Sequence, residues 1–309
     1  MRPLNSRKNK IVYVLVSDSE DHYTEMAMLS VYCARKYSPT CAIELVLDVA
    51  TKSNLTGHRA KLLEMVDTVT VVDVKGQNNA FTSRIIKTQL RNYVEGDYLY
   101  VDIDAVPVAD LSSVFSLDTD LAMAHDHNVP PEKFIFYDYE REIFDKTGWP
   151  LPTRYFNSGV MLVKDTQKVR DFFECWHGLW QQNSKLGLHK DQPPMHEAIR
   201  QRNMKVHALG PEWNLLVGLQ KGYGGKKPRI YHYSTIRFET RKDTYFHELV
   251  KNLKITEKID MPLLDHIVNT KYPWTNHSSL RLNWAVGNYH LLPLLMMKKL
   301  VSKRWAKQN

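Results

Sequence analysis

The sequence predicts an α/β protein built on a mainly parallel sheet with helices on both faces. Two observations carry that expectation. Short apolar runs alternate with helix-length segments through the first hundred residues, a rhythm that sets successive strands parallel with helices crossing between them. With 309 residues and 43% hydrophobic composition, the chain can also bury a sizeable core.

IVYVLV (11–16) is a short buried-strand run, and Asp21 to Tyr37 reads as a helix. IELVLD (43–48) is a second strand, Leu55 to Met65 a second helix, and TVTVVDV (68–74) a third strand. Arg84 to Tyr93 is helical, and YLYVDID (98–104) is a fourth strand. After Asp104 the rhythm changes. LAMAHD (121–126) is a strand, the Pro- and aromatic-rich stretch 128–152 is a loop-rich insertion, and YFNSGVMLV (155–163) is a strand again. Asp165 or Thr166 caps a helix to about Gln182, and a helix begun by Pro193 runs to about Arg202. RIYHYS (229–234) is a late strand, and Gly222 to Pro228, with three glycines and two lysines, is the best mobile-loop candidate.

Bulk properties exclude several classes. Cys33, Cys41 and Cys175 are too few and too scattered for a disulfide framework or a zinc site, and they fit a reducing compartment. Ser17 and Asp18 end the first apolar run too early for a secretory signal. No run approaches the roughly 18 apolar residues of a membrane span. Residues 1–220 hold 25 Lys+Arg and 28 Asp+Glu, whereas residues 221–309 hold 17 and 6. The basic character, +11 of a net +8, therefore sits in the C-terminal part. It points to anionic lipid, a phosphate-bearing substrate or nucleic acid.

In sheets of this kind ligands gather outside the carboxyl ends of the strands, which directs attention to Ser17–Asp18, Asp73 and Asp102–Asp104. Asp102 and Asp104 are two apart on the expected strand, so their side chains share one face, roughly 6–7 Å apart. Two such carboxylates repel unless a cation lies between them, and a hard divalent ion such as Mg²⁺ or Mn²⁺ suits the place. A D-x-D pair alone is also what a solvated strand end looks like.

The context is more specific. The segments YLYVDIDAVPVADLSSVF, GWPLPTRYFNSGVMLV, DQPPMHEAI, PEWNLL and IYHYS follow one another in that order. Together, across about residues 11–234, they resemble glycosyltransferase family 8, the retaining family of glycogenin and bacterial lipopolysaccharide galactosyl- and glucosyltransferases. The resemblance implies a type-A glycosyltransferase fold with a Rossmann-like sheet over residues 1–250, followed by a basic helical extension over 251–309. It implies Asp102, Asp104 and His232 as ligands of Mn²⁺ or Mg²⁺. For the donor, a UDP-sugar, it implies Ser17, Asp18 and Tyr23 at the base and ribose and Ile103 between the two aspartates. Asn157 and Ser158 would stand at the sugar. A basic residue would reach the donor from the helix before the metal strand, with Arg84 aligned to it and Lys87 competing. Asp191 and Gln192 would border the anomeric carbon, and the acceptor would be a glycan or glycolipid. Each position also has a plain reading: packing for His232, helix capping for Ser17 to Asp21 and for Asp191, and a strand bulge at Gly159.

One departure stands out. Relatives follow the late histidine with a glycine and a lysine–proline–tryptophan triplet whose lysine clamps the diphosphate. Here the chain continues YSTIRFETRKD, leaving Arg237 or Arg241 as substitutes. The tail HLLPLLMMKKLVSKRWAKQN has five Lys/Arg, no acidic residue and an apolar run too short to span a bilayer. It suits an anionic membrane surface, so a cytoplasmic enzyme peripheral to the inner face is expected.

Competing classes are weaker. A nucleotidyltransferase needs a glycine-rich loop after the first strand, and SDSEDHY has no glycine. A nucleic-acid binder would carry a recognisable module, and acidic strand ends repel phosphate unless metal-loaded. A catalytically silent scaffold sits poorly with intact Asp102, Asp104, Asp191 and His232.

Overall fold

The computed structural model describes residues 9–217, 227–233, 245–270, 280 and 289–305. Its centre is a seven-stranded sheet of order β3-β2-β1-β4-β7-β6-β8. The strands are β1 (Lys10–Leu15), β2 (Ala42–Asp48), β3 (Thr68–Val72), β4 (Tyr98–Val101), β6 (Leu121–His125), β7 (Phe156–Val163) and β8 (Val206–Leu209). β3, β2, β1 and β4 run parallel, as do β6 and β8, while β7 lies antiparallel between β4 and β6. A second sheet joins β5 (Ala105–Pro107), β10 (Ile230–His232) and β9 (Leu215–Leu216) in the order β5-β10-β9.

The two-residue period of the strands divides the core. Ile11, Tyr13 and Leu15 bury on one face with Leu29 and Leu45, whereas Val12, Val14 and Val16 bury on the other with Tyr100 and Trp176. A sheet covered on both faces explains why IVYVLV reads as continuous apolar sequence rather than as an alternation. The first face is covered by α1 (Tyr23–Tyr37) and the second by α2 (Asn79–Thr88) and by α4 (Gln167–Lys185), with α3 (Asp138–Thr147) lying between them in sequence. Further helices are α5 (Gln192–Gln201), α6 (Tyr245–Thr256), α7 (Met261–Asn269) and α8 (Leu292–Trp305).

Several expected elements differ. The helix expected from Leu55 to Met65 starts only at Gly57, which takes φ +55°, and consists of two short turns, Gly57–Ala60 and Lys61–Glu64. The helix expected from Arg84 begins at Asn79, where the Asn78 side chain caps it by accepting from Phe81 N at 2.9 Å. The 128–152 stretch contains α3, closed by Gly148 at φ +68°. The strand expected over 98–104 stops at Val101. At Asp102 the chain turns, Ala105 N donating back to Asp102 O at 2.9 Å, and β5 leaves for the second sheet. The D-x-D pair is therefore a turn between two sheets. Thr166 is the cap of α4, accepting from Val169 N. The segments 218–226 and 234–244, which hold most of the expected loop as well as Arg237 and Arg241, lie outside the described residues.

The 250/251 boundary falls inside α6. Phe246, Leu249, Val250 and Leu253 of that helix are buried in the same core as α1. Lys254, on the far side of the boundary, donates to the carbonyls of Ser19 (3.1 Å), Glu20 (2.6 Å) and Asp21 (2.7 Å). Part of the basic C-terminal charge thus fixes the loop that follows β1.

Candidate active site

The parallel strands β1 and β4 end beside the turn of Asp102–Asp104, at the floor of a cavity of about 380 Å³. Tyr23, Arg84, Asp102, Ile103, Asp104 and Asp191 line it, and so do Asn79, Lys87, Tyr100 and Lys190. Strand β10 pairs antiparallel with β5, setting His232 opposite Ala105 and hence against the aspartates. Its Nε2 lies 3.2 Å from Asp104 Oδ1 and 3.9 Å from Asp102 Oδ2. The three side chains offer one ligand atom each, all within 4.8 Å of one another. Two carboxylate oxygens and an imidazole nitrogen suit a divalent cation.

Two features fit the cluster to that task. The His232 ring donates through Nδ1 to Asn214 Oδ1 at 2.8 Å, which leaves Nε2 as the ring nitrogen that faces the carboxylates. Gly159 of β7 lies directly beneath. A Cβ there would stand 2.4 Å from His232 Cε1, 2.7 Å from Asp102 Oδ2 and 2.9 Å from Asn157 Oδ1. Glycine here serves close approach, since its backbone stays extended within the strand.

From His232 an amide chain runs through Asn157 to Gln192 and Ser158, none of which lines the cavity, and so reaches the neighbourhood of Asp191. Asn214 Nδ2 donates to Asn157 Oδ1 (2.8 Å), and Asn157 Nδ2 donates to Asp126 Oδ1 (3.1 Å). Asp126 Oδ2 accepts from Gln192 Nε2 (2.9 Å), whose Oε1 accepts from Ser158 N at 3.3 Å. Each amide has its donor and acceptor ends fixed by its neighbours, so the whole chain is oriented as one network. Ser158 Oγ donates to Asp191 Oδ2 at 3.4 Å. Asn128 braces the corner by donating to Asn214 O (2.8 Å), from a turn in which His127 and Asn128 take φ of 55° and 54°.

Charge is balanced by buried cations. Lys87, 8% exposed, donates to Asp102 Oδ1 at 3.2 Å and stands 3.7 Å from Asp191 Oδ2. Burial pulls its ammonium down, but Asp102 and Asp191 outweigh that and leave it raised. Burial pushes Asp191 up, yet Lys87 and Arg84 hold it below the usual carboxylate range. Asp102 is raised, by burial first, against the opposing pull of Lys87. Its carboxylate also accepts from Tyr100 OH. Burial lowers His232, and the Asp104 carboxylate more than reverses this. Arg84 reaches Asp191 only at 3.7 Å and keeps a 26% exposed side chain. Of the two basic candidates on α2, Lys87 is the more deeply engaged.

The expected base site is built differently from its sequence reading. Ser17 is buried with its hydroxyl spent on Asp21 Oδ1 (2.6 Å) and Thr24 Oγ1 (2.8 Å). Asp18 accepts from the backbone N–H of Glu20 (2.9 Å) and of Asp21 (3.0 Å), and from Asn79 Nδ2 (2.6 Å). These bonds, that to Asp21 foremost, hold its carboxyl below the usual range. Neither side chain lines the cavity, whereas Tyr23 and Asn79 do. Asn79, Tyr100, Asp126, Lys190 and Asn214 carry site geometry without having been singled out. Asn214 and Asp126 lay inside quoted segments, and Lys190 adjoins Asp191. Only Asn78–Asn79 bore an independent local signal, that of a helix cap.

Residues 87–238 match the model of glycosyl transferase family 8. Among solved structures, an active-site mutant of LgtC gives a TM-score of 0.54 at 16% identity, over 80% of this chain and 95% of that one. The apo structure of the bifunctional glycosyltransferase WbbM gives 0.50 at 16% identity, over 76% of this chain and 47% of that one. A complex of the galactosyltransferase LgtC with donor and acceptor sugar analogues gives 0.49 at 15% identity, over 72% and 86%. A search of the curated proteins finds none that matches. At these identities the likeness is one of fold, and the mainly parallel sheet is that of LgtC.

Proposed function

Since the chain is a glycosyltransferase with a family 8 domain over residues 87–238, we propose that it is a retaining, metal-dependent hexosyltransferase using a UDP-sugar donor. The observation that carries this reading is the Asp102–Asp104–His232 cluster at the floor of a cavity that also presents Lys87, Arg84 and Asp191. Asp102, Asp104 and His232 would hold Mn²⁺, or Mg²⁺ in its place. When bound, such an ion neutralises charge developing on the departing diphosphate. Tyr23 and Asn79 receive the base and ribose, with Asp18 orienting Asn79. Ser158 holds the Asp191 carboxylate and Asn157 orients Gln192 through Asp126, so that both face the sugar. Lys87 keeps Asp191 ionised beside a centre that gains positive charge. The acceptor is a glycan or glycolipid of the surface-polysaccharide type, and Arg237 of the 234–244 segment remains a candidate for the diphosphate clamp.

The test is a panel of nucleotide sugars with Mn²⁺ or Mg²⁺, scored by release of nucleoside diphosphate. Slow donor hydrolysis is expected, abolished by EDTA and reduced about a hundredfold or more in Asp104→Asn. If no nucleotide sugar is bound in a metal-dependent way, the reading fails.

We propose further that α8 rests on an anionic membrane surface from the cytoplasmic side. Leu294, Met296, Met297, Leu300 and Val301 are all more than half exposed, and Lys298 and Lys299 are exposed beside them. Among the described residues no helix is long and apolar enough to cross a membrane. Each basic residue near such a surface contributes about 1 kcal/mol. The chain should sediment with vesicles containing phosphatidylglycerol and leave them as salt rises. Binding to neutral vesicles as strong as to anionic ones would refute this.

A further inference from the structure

The aromatic stretch after β6 has no part in the site described so far, although it ends beside it. Helix α3 starts at Asp138, and Tyr137 N donates to Glu140 Oε2 at 3.1 Å in a capping box. Glu140 is buried and accepts from Tyr155 OH at 2.9 Å. Burial, and then the Asp126 carboxylate, push its carboxyl up to about 7. The start of α3 is therefore anchored to Tyr155, whose carbonyl accepts at 2.9 Å from the N–H of Asp126, the residue that orients Gln192 and Asn157.

That anchoring leaves two rings in the open. Tyr137 and Tyr139 stack with centroids 5.4 Å apart at 18°, and they remain 39% and 43% exposed. Burying such rings against other protein would be the ordinary outcome, because each carries a large apolar surface. Lys190 joins this ledge to the catalytic cavity. It lines the cavity next to Asp191, and its ammonium lies 5.0 Å from the Tyr139 ring centroid. It makes no ion pair among the described residues, although Arg84, Asp191 and Glu140 all act on its charge. Burial, and then the Arg84 charge, lower its pKa.

We propose that Tyr137, Tyr139 and Lys190 form the acceptor subsite, taking the pyranose ring that carries the attacking hydroxyl. A pyranose offers an apolar face of C–H groups and a rim of oxygens. The ledge meets the first, and the three N–H bonds of Lys190 meet the second. Lys190 lines the same cavity as Asp191 and so joins the subsite to the place where the acceptor must approach. This assignment rests on the transferase reading above and gives the 128–152 insertion a role in acceptor choice.

The experiment measures transfer from the donor found in the nucleotide-sugar panel to octyl glycosides of glucose, galactose and N-acetylglucosamine, with donor hydrolysis as a parallel readout. Tyr139→Leu, which keeps apolar bulk and loses the ring, should raise acceptor KM about tenfold, and Tyr139→Phe should restore it to within about threefold. Lys190→Met should raise acceptor KM about tenfold, and Lys190→Arg should recover most of it. The proposal is overturned if Tyr139→Phe is as impaired as Tyr139→Leu, or if Lys190→Met raises donor KM as much as acceptor KM. The second result would make Lys190 a diphosphate ligand. Failure of all three glycosides to accept sugar, with donor hydrolysis intact, overturns the pyranose ledge alone. Absence of donor hydrolysis falls on the transferase reading instead.

Discussion

Gly159→Ala should lower donor turnover about a hundredfold or more while leaving the sheet folded. The added methyl would meet three atoms closer than any ordinary contact, and two of them belong to proposed metal ligands. His232 cannot retreat freely, because Nδ1 is tied to Asn214 and its backbone is paired with Ala105. Asp102 cannot either, since its N–H is bonded to Gly159 O at 2.8 Å. An overpacked site of this kind costs about 1–3 kcal/mol of stability, too little to unfold a core of this size. Disturbing groups that orient metal ligands costs about 10–100-fold in affinity, and a misplaced reacting centre adds to that. Thermal melting and far-UV circular dichroism would report the fold, with Mn²⁺ titration and donor hydrolysis reporting the site. A variant that binds Mn²⁺ and turns over within threefold of the parent would refute the role given to Gly159.

The same glycine marks what the sequence could say and what it could not. FNSGV drew attention for its likeness to a family, and the bland reading of Gly159 was a bulge. No local signal says that a histidine over seventy residues later will lie on it. That contact depends on β10 pairing with β5 in a sheet of two- and three-residue strands, too short to carry a hydrophobic period. The large sheet was legible for the opposite reason. Its strands are buried on both faces and therefore read as continuous apolar runs between caps and turns. The sequence reading of Asp102 and Asp104 assumes a strand that runs through both of them to residue 104. The strand stops at Val101 instead, and a turn between two sheets sets the pair beside His232. Ser17 and Asp18 show another limit, since sequence does not say that their side chains are bonded to Asp21, Thr24 and Asn79 rather than lining the cavity.

The amide chain from His232 to Ser158 was likewise invisible residue by residue. Its members come from β10, the turn before β9, β7, the end of β6 and the start of α5. Asparagine and glutamine at such places look like turn and cap residues. Only their mutual orientation makes them one unit, linking the proposed metal ligand to the residues proposed to face the sugar.

Lys87→Met should cost about 10²–10³ in kcat at neutral pH and move the acid limb of the pH profile upward. Removing one partner of a buried ion pair costs about 3–5 kcal/mol, because the other charge is left uncompensated. Two carboxylates depend on Lys87, Asp102 at 3.2 Å and Asp191 at 3.7 Å. The sign follows from the balance at Asp191. Burial alone pushes its carboxyl up, and Lys87, then Arg84, reverse that. Without Lys87 the pKa rises, so a higher pH is needed to ionise it and activity at acid pH falls first. Asp102, already raised by burial, moves the same way, and protons then compete harder with a cation for its oxygens. Part of the lost activity should therefore return as pH or Mn²⁺ is raised. Arg84→Met, which removes a partly exposed side chain at 3.7 Å from Asp191 alone, should cost about tenfold or less and shift the profile little. Profiles of kcat for both variants between pH 5 and 9 decide the matter, where those limits are about the range in which most proteins stay folded. A larger loss in Arg84→Met, or an unmoved acid limb in Lys87→Met, would return the catalytic cation to Arg84.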